Sequence, residues 1–433
     1  MKIHRLEVTN FRGFSQRTFT LSDQFNVLIG ENGAGKTAVL DALAIGAGVL
    51  PRGFSLERIS GPLIQEDDFR RVVYLKDGIA TVERQFPVCV QCSGRLGGQE
   101  HTWAWTSNHP NTSTLDSASL SAIATRLQAQ VQAGEDVLLP LVAYYGTERL
   151  WLPKRDGPVQ LFVEPLPPGS RLTGYIDCLD PASNQKLLVQ WFKRMELVQL
   201  QQGRTIGTLE AVKTAVVRCM AGWKRVWFDI NQDDLLAEAE DGRQLPFRML
   251  SDGVRNMLAL VADIAYRAAV LNPHLGVRAA EQTPGIVLID ELDLHLHPKW
   301  QRRVVEDLRT TFPLVQFVAT THSPFIIQSL RPGELINLEE EAPSEPPSQS
   351  IEDIAEQVMG VEVPQRSERY QEMMKAAEEY YRVLQEAKAT TSAEQREALK
   401  RKLDALSEPF SDNVAYHAFL RMEREAAGLG EEP

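Results

Sequence analysis

Polar and apolar residues alternate along Lys2-Ile3-His4-Arg5-Leu6-Glu7-Val8, the period-two pattern of a strand with one buried face. Phe25 to Ile29 is a continuous apolar run that stops at Gly30. Thr37 to Leu50 is rich in Ala and Leu, interrupted only by Gly46 and Gly48. Strand, glycine loop and helix are therefore predicted in succession. A hairpin is expected over 71–86 around Asp77-Gly78, a strand over Leu138 to Tyr145, and helices over Ser117 to Ala133 and Asn184 to Gln202. Strand-like Trp223 to Ile230 leads to a long helical stretch, Leu250 to Val270, and then to buried-type strands at Gly285 to Ile289 and Val315 to Ala319. This alternation predicts an α/β fold with a mixed sheet and a helical subdomain over 1–338, with a loop-rich and helical insertion at about 90–222. Glu339 to Ser350 is dominated by Glu, Pro and Ser and reads as a linker. Residues 351–433 read as a mostly helical C-terminal region. Ser350 with Asp353 forms a helix start, and Tyr370, Met373, Met374, Ala377, Tyr380, Tyr381 and Leu384 make a helical stripe suited to a core.

Charge refines this division. The net charge is −12 over 433 residues, and residues 331–433 carry most of it, while the preceding part is close to neutral. Coating DNA by charge alone is disfavoured, but a local basic face stays open and with it DNA binding. Four cysteines and a charged, non-apolar start predict a reducing, cytoplasmic setting, and no run has the length of a membrane span.

The strongest chemistry lies at the first strand-to-helix junction. Gly30-Glu31-Asn32-Gly33-Ala34-Gly35-Lys36-Thr37 has the spacing of a phosphate loop in the required context. Glycines let backbone N–H groups turn inward on phosphate, the helix N-terminus adds positive potential, Lys36 neutralises the β and γ oxygens, and Thr37 offers an oxygen to Mg²⁺. Gly285 to Ile289 ends in Asp290 and Glu291. Asp290 is expected to hold Mg²⁺, and Glu291 to polarise the attacking water. His322, in Thr320-Thr321-His322-Ser323-Pro324, follows the next strand and either contacts the γ-phosphate or caps the turn.

In this order the phosphate loop, Leu250-Ser251-Asp252-Gly253-Val254-Arg255, Asp290-Glu291 and His322 resemble the motifs of ABC-type ATPases. Val8-Thr9-Asn10-Phe11-Arg12-Gly13-Phe14 is similar to the opening of the SMC, RecF and OLD branch. The resemblance implies ATP and Mg²⁺ as ligands, with Arg12 approaching the nucleotide beside Asn32, Gly33, Ala34, Gly35, Lys36 and Thr37. It also implies a homodimer in which Ser251 and Gly253 act on the ATP held by the other copy, with Asp293 in the facing loop. Asp252 stands where glycine is commonest, which predicts slow or gated hydrolysis, since a carboxylate facing phosphate is unfavourable. Gln65 is a weak candidate for the glutamine loop.

No sustained heptads separate the phosphate loop from the signature motif Leu250 to Arg255, and no acidic metal constellation follows the linker, so neither a long coiled coil nor a built-in nuclease is expected. The segment from Leu139 to Trp151 and the tail look like the ATPases of Septu-type and retron-associated phage-defence operons, which work beside a separate HNH nuclease. Three functions follow: a defence ATPase controlling a partner effector, a RecF-like repair ATPase that clamps DNA, and the ATPase subunit of a transporter, which the Asn10–Phe14 opening disfavours. Cys89-Val90-Gln91-Cys92 lacks a second ligand pair for zinc, and Trp103, Trp105 and Trp151 suit packing better than base stacking.

Overall fold

The computed structural model describes residues 1–54, 62–76, 79–109, 112–116, 118–147, 170–181, 185–340, 350–361, 367–389 and 392–427. The strands are β1 (Lys2–Phe11), β2 (Phe14–Thr20), β3 (Phe25–Ile29), β4 (Arg71–Lys76), β5 (Ile79–Arg84), β6 (Val88–Leu96), β7 (Gln99–His109), β8 (Thr112–Asp116), β9 (Leu141–Tyr145), β10 (Trp223–Asp229), β11 (Asp234–Ala239), β12 (Gln244–Pro246), β13 (Gly285–Ile289), β14 (Val315–Thr320) and β15 (Leu335–Asn337).

They form two principal sheets of different kind. One is parallel, ordered β15-β3-β14-β13-β9, and the strands β3, β9, β13 and β14 are buried at every position. Burial on both faces is why these segments read as unbroken apolar runs. The other is antiparallel, ordered β2-β1-β6-β7-β8, and alternates inside and outside along β6. The stretch expected as an insertion thus supplies β6, β7 and β8 to one principal sheet and β9 to the other. The expected hairpin is β4 with β5, and its Asp77-Gly78 turn lies outside the described residues.

The helix Lys36–Ala47 contacts strands of both sheets and is buried from Ala38 to Ala47 except at Asp41. Close approach requires Gly46, since a Cβ there would come within 2.3 Å of Cys92 Sγ, and Trp103 Nε1 donates to Gly46 O at 2.9 Å. Cys92 and Trp103 therefore pack the core, and burial pushes the Cys92 thiol upward in pKa. Gln316 ties β14 to the antiparallel sheet by accepting from Ile3 N at 2.8 Å and donating to Ile3 O at 2.7 Å.

The chain divides into two compact units, Met1–Ile354 and Ala355–Pro433. Of the expected linker, residues 341–349 lie outside the described ones, as do Glu148 to Trp151 of the defence-like stretch. In the second unit the helices Glu368–Ala389, Ala393–Ser407 and Val414–Ala426 share a core of Tyr380, Val383, Leu384, Ala387, Leu403 and Leu420. Of the predicted stripe, Met373, Ala377, Tyr380 and Leu384 are buried, whereas Tyr370 and Met374 are each 37% exposed. Among the described residues no helix is long and apolar enough to cross a membrane.

Candidate nucleotide site

The loop after β3 keeps glycine where backbone geometry demands it. Gly33 and Gly35 have φ of 93° and 98°, and a Cβ on Gly35 would lie 2.7 Å from Phe14 Cζ. The chain then enters the helix at Lys36, whose ammonium donates to Gly30 O at 2.7 Å and Glu31 O at 3.0 Å. Partial burial draws the Lys36 pKa below the ordinary lysine range, against the opposing pull of Asp290, Glu291 and Glu339.

At the end of β13, Asp290 is buried and accepts from Thr37 Oγ1 at 2.9 Å through one oxygen and from Thr320 Oγ1 at 2.6 Å through the other. Thr320 Oγ1 also accepts from Glu291 N at 2.7 Å. One hydroxyl at the end of β14 thereby fixes both the carboxylate and the backbone that follows it. Neighbouring strand residues normally face opposite sides. Glu291 instead takes φ 49°, turning the chain sharply, and Asp290 and Glu291 face the same cavity. Such a left-handed non-glycine residue costs roughly 1 kcal/mol or more. Asp293 accepts from Thr321 Oγ1 at 2.5 Å and from His322 N at 3.4 Å, bracing the His322 turn.

A cavity of about 480 Å³ is lined by Arg12, Asn32, Gly33, Ala34, Gly35, Lys36, Thr37, Asp290, Glu291, Thr320 and His322, together with Gly13, Phe14 and Ala38. Residues from four separate parts of the chain meet there. Arg12 is held by Asp41 Oδ2 at 2.6 Å and Asp68 Oδ1 at 2.8 Å; burial opposes its charge but the two carboxylates outweigh it and raise its pKa. Tyr144 donates to the second oxygen of Asp41 at 2.9 Å. Gln65 is not among the lining residues; its N–H donates to Asp68 Oδ2 at 2.8 Å, placing it behind Arg12.

Ser251 and Gly253 do not line the cavity. Ser251 is exposed and precedes the helix Asp252–Leu271. Gly253 lies against the loop after Asp290, where a Cβ would come within 2.3 Å of His295 O, and Asn256 Nδ2 donates to Leu294 O at 3.0 Å. The Asp252 carboxylate is taken by Arg255 one turn on, so the charge that the sequence sets against phosphate is directed along its own helix.

Sequence reading missed Thr320, Tyr144 and Phe14 as parts of this site. Thr320 adjoins a motif that was legible, but its partner Asp290 lies on a neighbouring strand. Phe14 matters through the absence of a side chain at Gly35, which no local pattern encodes.

Fold and site together define a P-loop ATPase. Family models match in the same places: "AAA domain, putative AbiEii toxin, Type IV TA system" over residues 25–78 and 228–328, and "AAA ATPase domain" over 1–47. Its relatives include the retron Vc95 probable ATPase of Vibrio cholerae serotype O1 biovar El Tor, 25% identical over 385 residues that cover 76% of this chain and 72% of that protein. The Septu protein PtuA of Bacillus mycoides (strain KBAB4) is 44% identical over 86 residues, 20% of this chain and 11% of PtuA. Among solved structures, the SMC head domain from Thermotoga maritima aligns over 78% of this chain and 94% of that one, with 14% identity and a TM-score of 0.42.

Proposed function

We propose that this chain is the ATPase of a phage-defence assembly, that two copies close on two ATP molecules, and that closure controls a separate effector protein, an HNH nuclease by the likeness to retron and Septu systems. The observation that carries the dimeric part is the separation of two groups within one chain. Arg12, the phosphate loop, Asp290, Glu291 and His322 converge on one cavity, while Ser251 stands exposed outside it. An exposed signature turn packed against the 291–296 loop has the form of a surface that serves another copy's nucleotide.

In this reading the inward N–H groups of residues 33–37 and the Lys36 ammonium bind the β and γ phosphates. Thr37 and Asp290 place two oxygens 2.9 Å apart, a hard-oxygen pair that fits Mg²⁺, which when bound offsets the charge of the phosphates. Glu291 accepts the proton of the attacking water, and His322 faces the γ-phosphate. Arg12, neutralised by Asp41 and Asp68, orients the near side of the cavity more than it adds net charge.

Glu291→Gln tests the reading. It should lower kcat by about 10² to 10⁴ fold while retaining ATP, as loss of a general base does. Light scattering should then show a stable dimer with ATP and Mg²⁺, and the effector encoded beside this gene should co-purify with it. A variant that hydrolyses ATP normally, or stays monomeric with ATP bound, overturns the reading.

A further inference from the structure

We propose that Glu339 is a positioning residue for the phosphate loop, clamping the Gly30–Glu31 peptide from the side opposite Lys36 and so setting how readily Lys36 turns to a nucleotide. The register of the sheet puts it there. Asn337, the last residue of β15, is paired with Ile29, the last of β3, and Leu338 N donates to Ile29 O at 3.0 Å. The next residue therefore reaches the first turn of the loop, and Glu339 Oε1 accepts from Glu31 N at 2.5 Å. The carbonyl of that same peptide, Gly30 O, accepts from Lys36 Nζ. A cation on one end of a peptide and an anion on the other polarise it cooperatively.

The clamp is itself supported. Arg17 donates to Leu338 O and to Glu340 O, and its guanidinium lies over the Phe14 and Phe19 rings. Phe14 is the ring that abuts Gly35 at the far end of the loop. Both ends of the phosphate loop are thus gripped by groups that meet at Arg17. With Glu339 in place the Gly30 carbonyl keeps one orientation, and Lys36 exchanges it for phosphate oxygens without the loop rearranging.

The inference rests on the cavity being the ATP site, and its test separates the two. With Mg²⁺ and ATP, Glu339→Ala should raise KM about tenfold, the loss expected for one charge-assisted hydrogen bond, while kcat stays within about twofold. Glu339→Gln retains an acceptor of the same reach without the charge and should recover about half of that loss, to a KM about threefold above the wild type. Glu339→Asp keeps the charge but loses the reach and should behave like Ala, which preserves the test if the Ala variant melts early. Equal KM for Gln and Ala, a wild-type KM for Ala and Asp, or a loss confined to kcat would overturn the role. Full ATP affinity in Lys36→Ala would instead sink the ATP-site reading itself.

Discussion

The helix Asp252–Leu271 is held in contrasting ways at its two ends. Toward its C-terminus Arg267 is buried, donating to Asp263 at 2.7 Å and to the carbonyls of Gly174 and Ile176, while Tyr145 donates to the same Asp263 oxygen at 2.7 Å. Asn272 then closes the helix by exchanging hydrogen bonds with Leu139 N and O. Toward its N-terminus Ser251 is exposed and Met249 is 65% exposed, and one polar tie runs from Asn256 to Leu294 O. One end is built as a fixed base and the other as a presented surface. The base reaches the nucleotide cavity through β9, since Tyr145 O accepts from Asp290 N at 2.8 Å. A continuous path of hydrogen bonds and one helix therefore runs from the residue proposed to hold Mg²⁺ to the turn proposed to meet the other copy's ATP.

The largest effect is expected at the base. Arg267→Met leaves Asp263 buried beside a hydroxyl alone, and breaking such a pair should lower unfolding stability by about 3 to 5 kcal/mol, measured by chemical denaturation. Replacing the whole group with Tyr145→Phe, Asp263→Leu and Arg267→Met should recover part of that loss, because no uncompensated charge remains while the Gly174 and Ile176 carbonyls still lose their donor. A single variant as stable as the wild type would erase the contrast between the ends. Next in size is Lys36→Ala, in the cavity to which the base connects. It should weaken ATP binding by about 100-fold, the order expected for charge-assisted contacts to phosphate, with no change in melting temperature in the absence of nucleotide. Calorimetric titration with ATP and Mg²⁺ reads this directly.

These contrasts were unequally visible in the sequence. The phosphate loop and the Asp290–Glu291 pair are local motifs, and strands buried on both faces are unbroken apolar runs, so β3, β13, β14 and the phosphate loop could be read one after another. The antiparallel sheet was less legible. Val88 to Leu96 alternates, but Cys89, Gln91, Ser93 and Arg95 on its outward side obscured a strand whose partners are β1, far back in the chain, and β7. The stripe in the second unit showed its period but not where its edge fell, and Tyr370 and Met374 remain at that edge. Glu339 and Thr320 were illegible for a different reason. Their roles depend on strand register, which brings residue 339 over residue 31 and residue 320 beside residue 290. The sequence shows the Asp252 charge but not its rotamer, and the contact with Arg255 supplies the rotamer.

At the presented end a smaller effect is expected from Gly253→Ala. The added methyl meets backbone rather than a movable side chain, so overpacking of about 1 to 3 kcal/mol should shift the first turn off the 291–296 loop. ATP affinity of the single chain should stay within about twofold and ATPase activity should fall about tenfold, since only the presented surface moves. Equal losses in both would mean that the two ends are not separable.

The smallest effect, and the finest probe of the presented end, is Asp252→Asn. The Asp252 carboxylate sits in the first helical turn, where the helix dipole favours it, and pairs with Arg255 at a spacing worth only a few tenths of a kcal/mol. Removing its charge should therefore change stability by less than about 1 kcal/mol. If the carboxylate keeps to Arg255, ATPase activity should change by no more than about twofold, because a group turned along its own helix contributes little repulsion to phosphate across solvent. A rise of about tenfold or more would mean that the charge faces the other copy's γ-phosphate and restrains turnover, which is the behaviour the sequence alone predicts. The outcome thus decides whether Asp252 is a first-turn charge that complements the helix dipole or a brake, and the measurement is steady-state hydrolysis at saturating ATP over a series of protein concentrations, so that dimer formation and turnover are read separately.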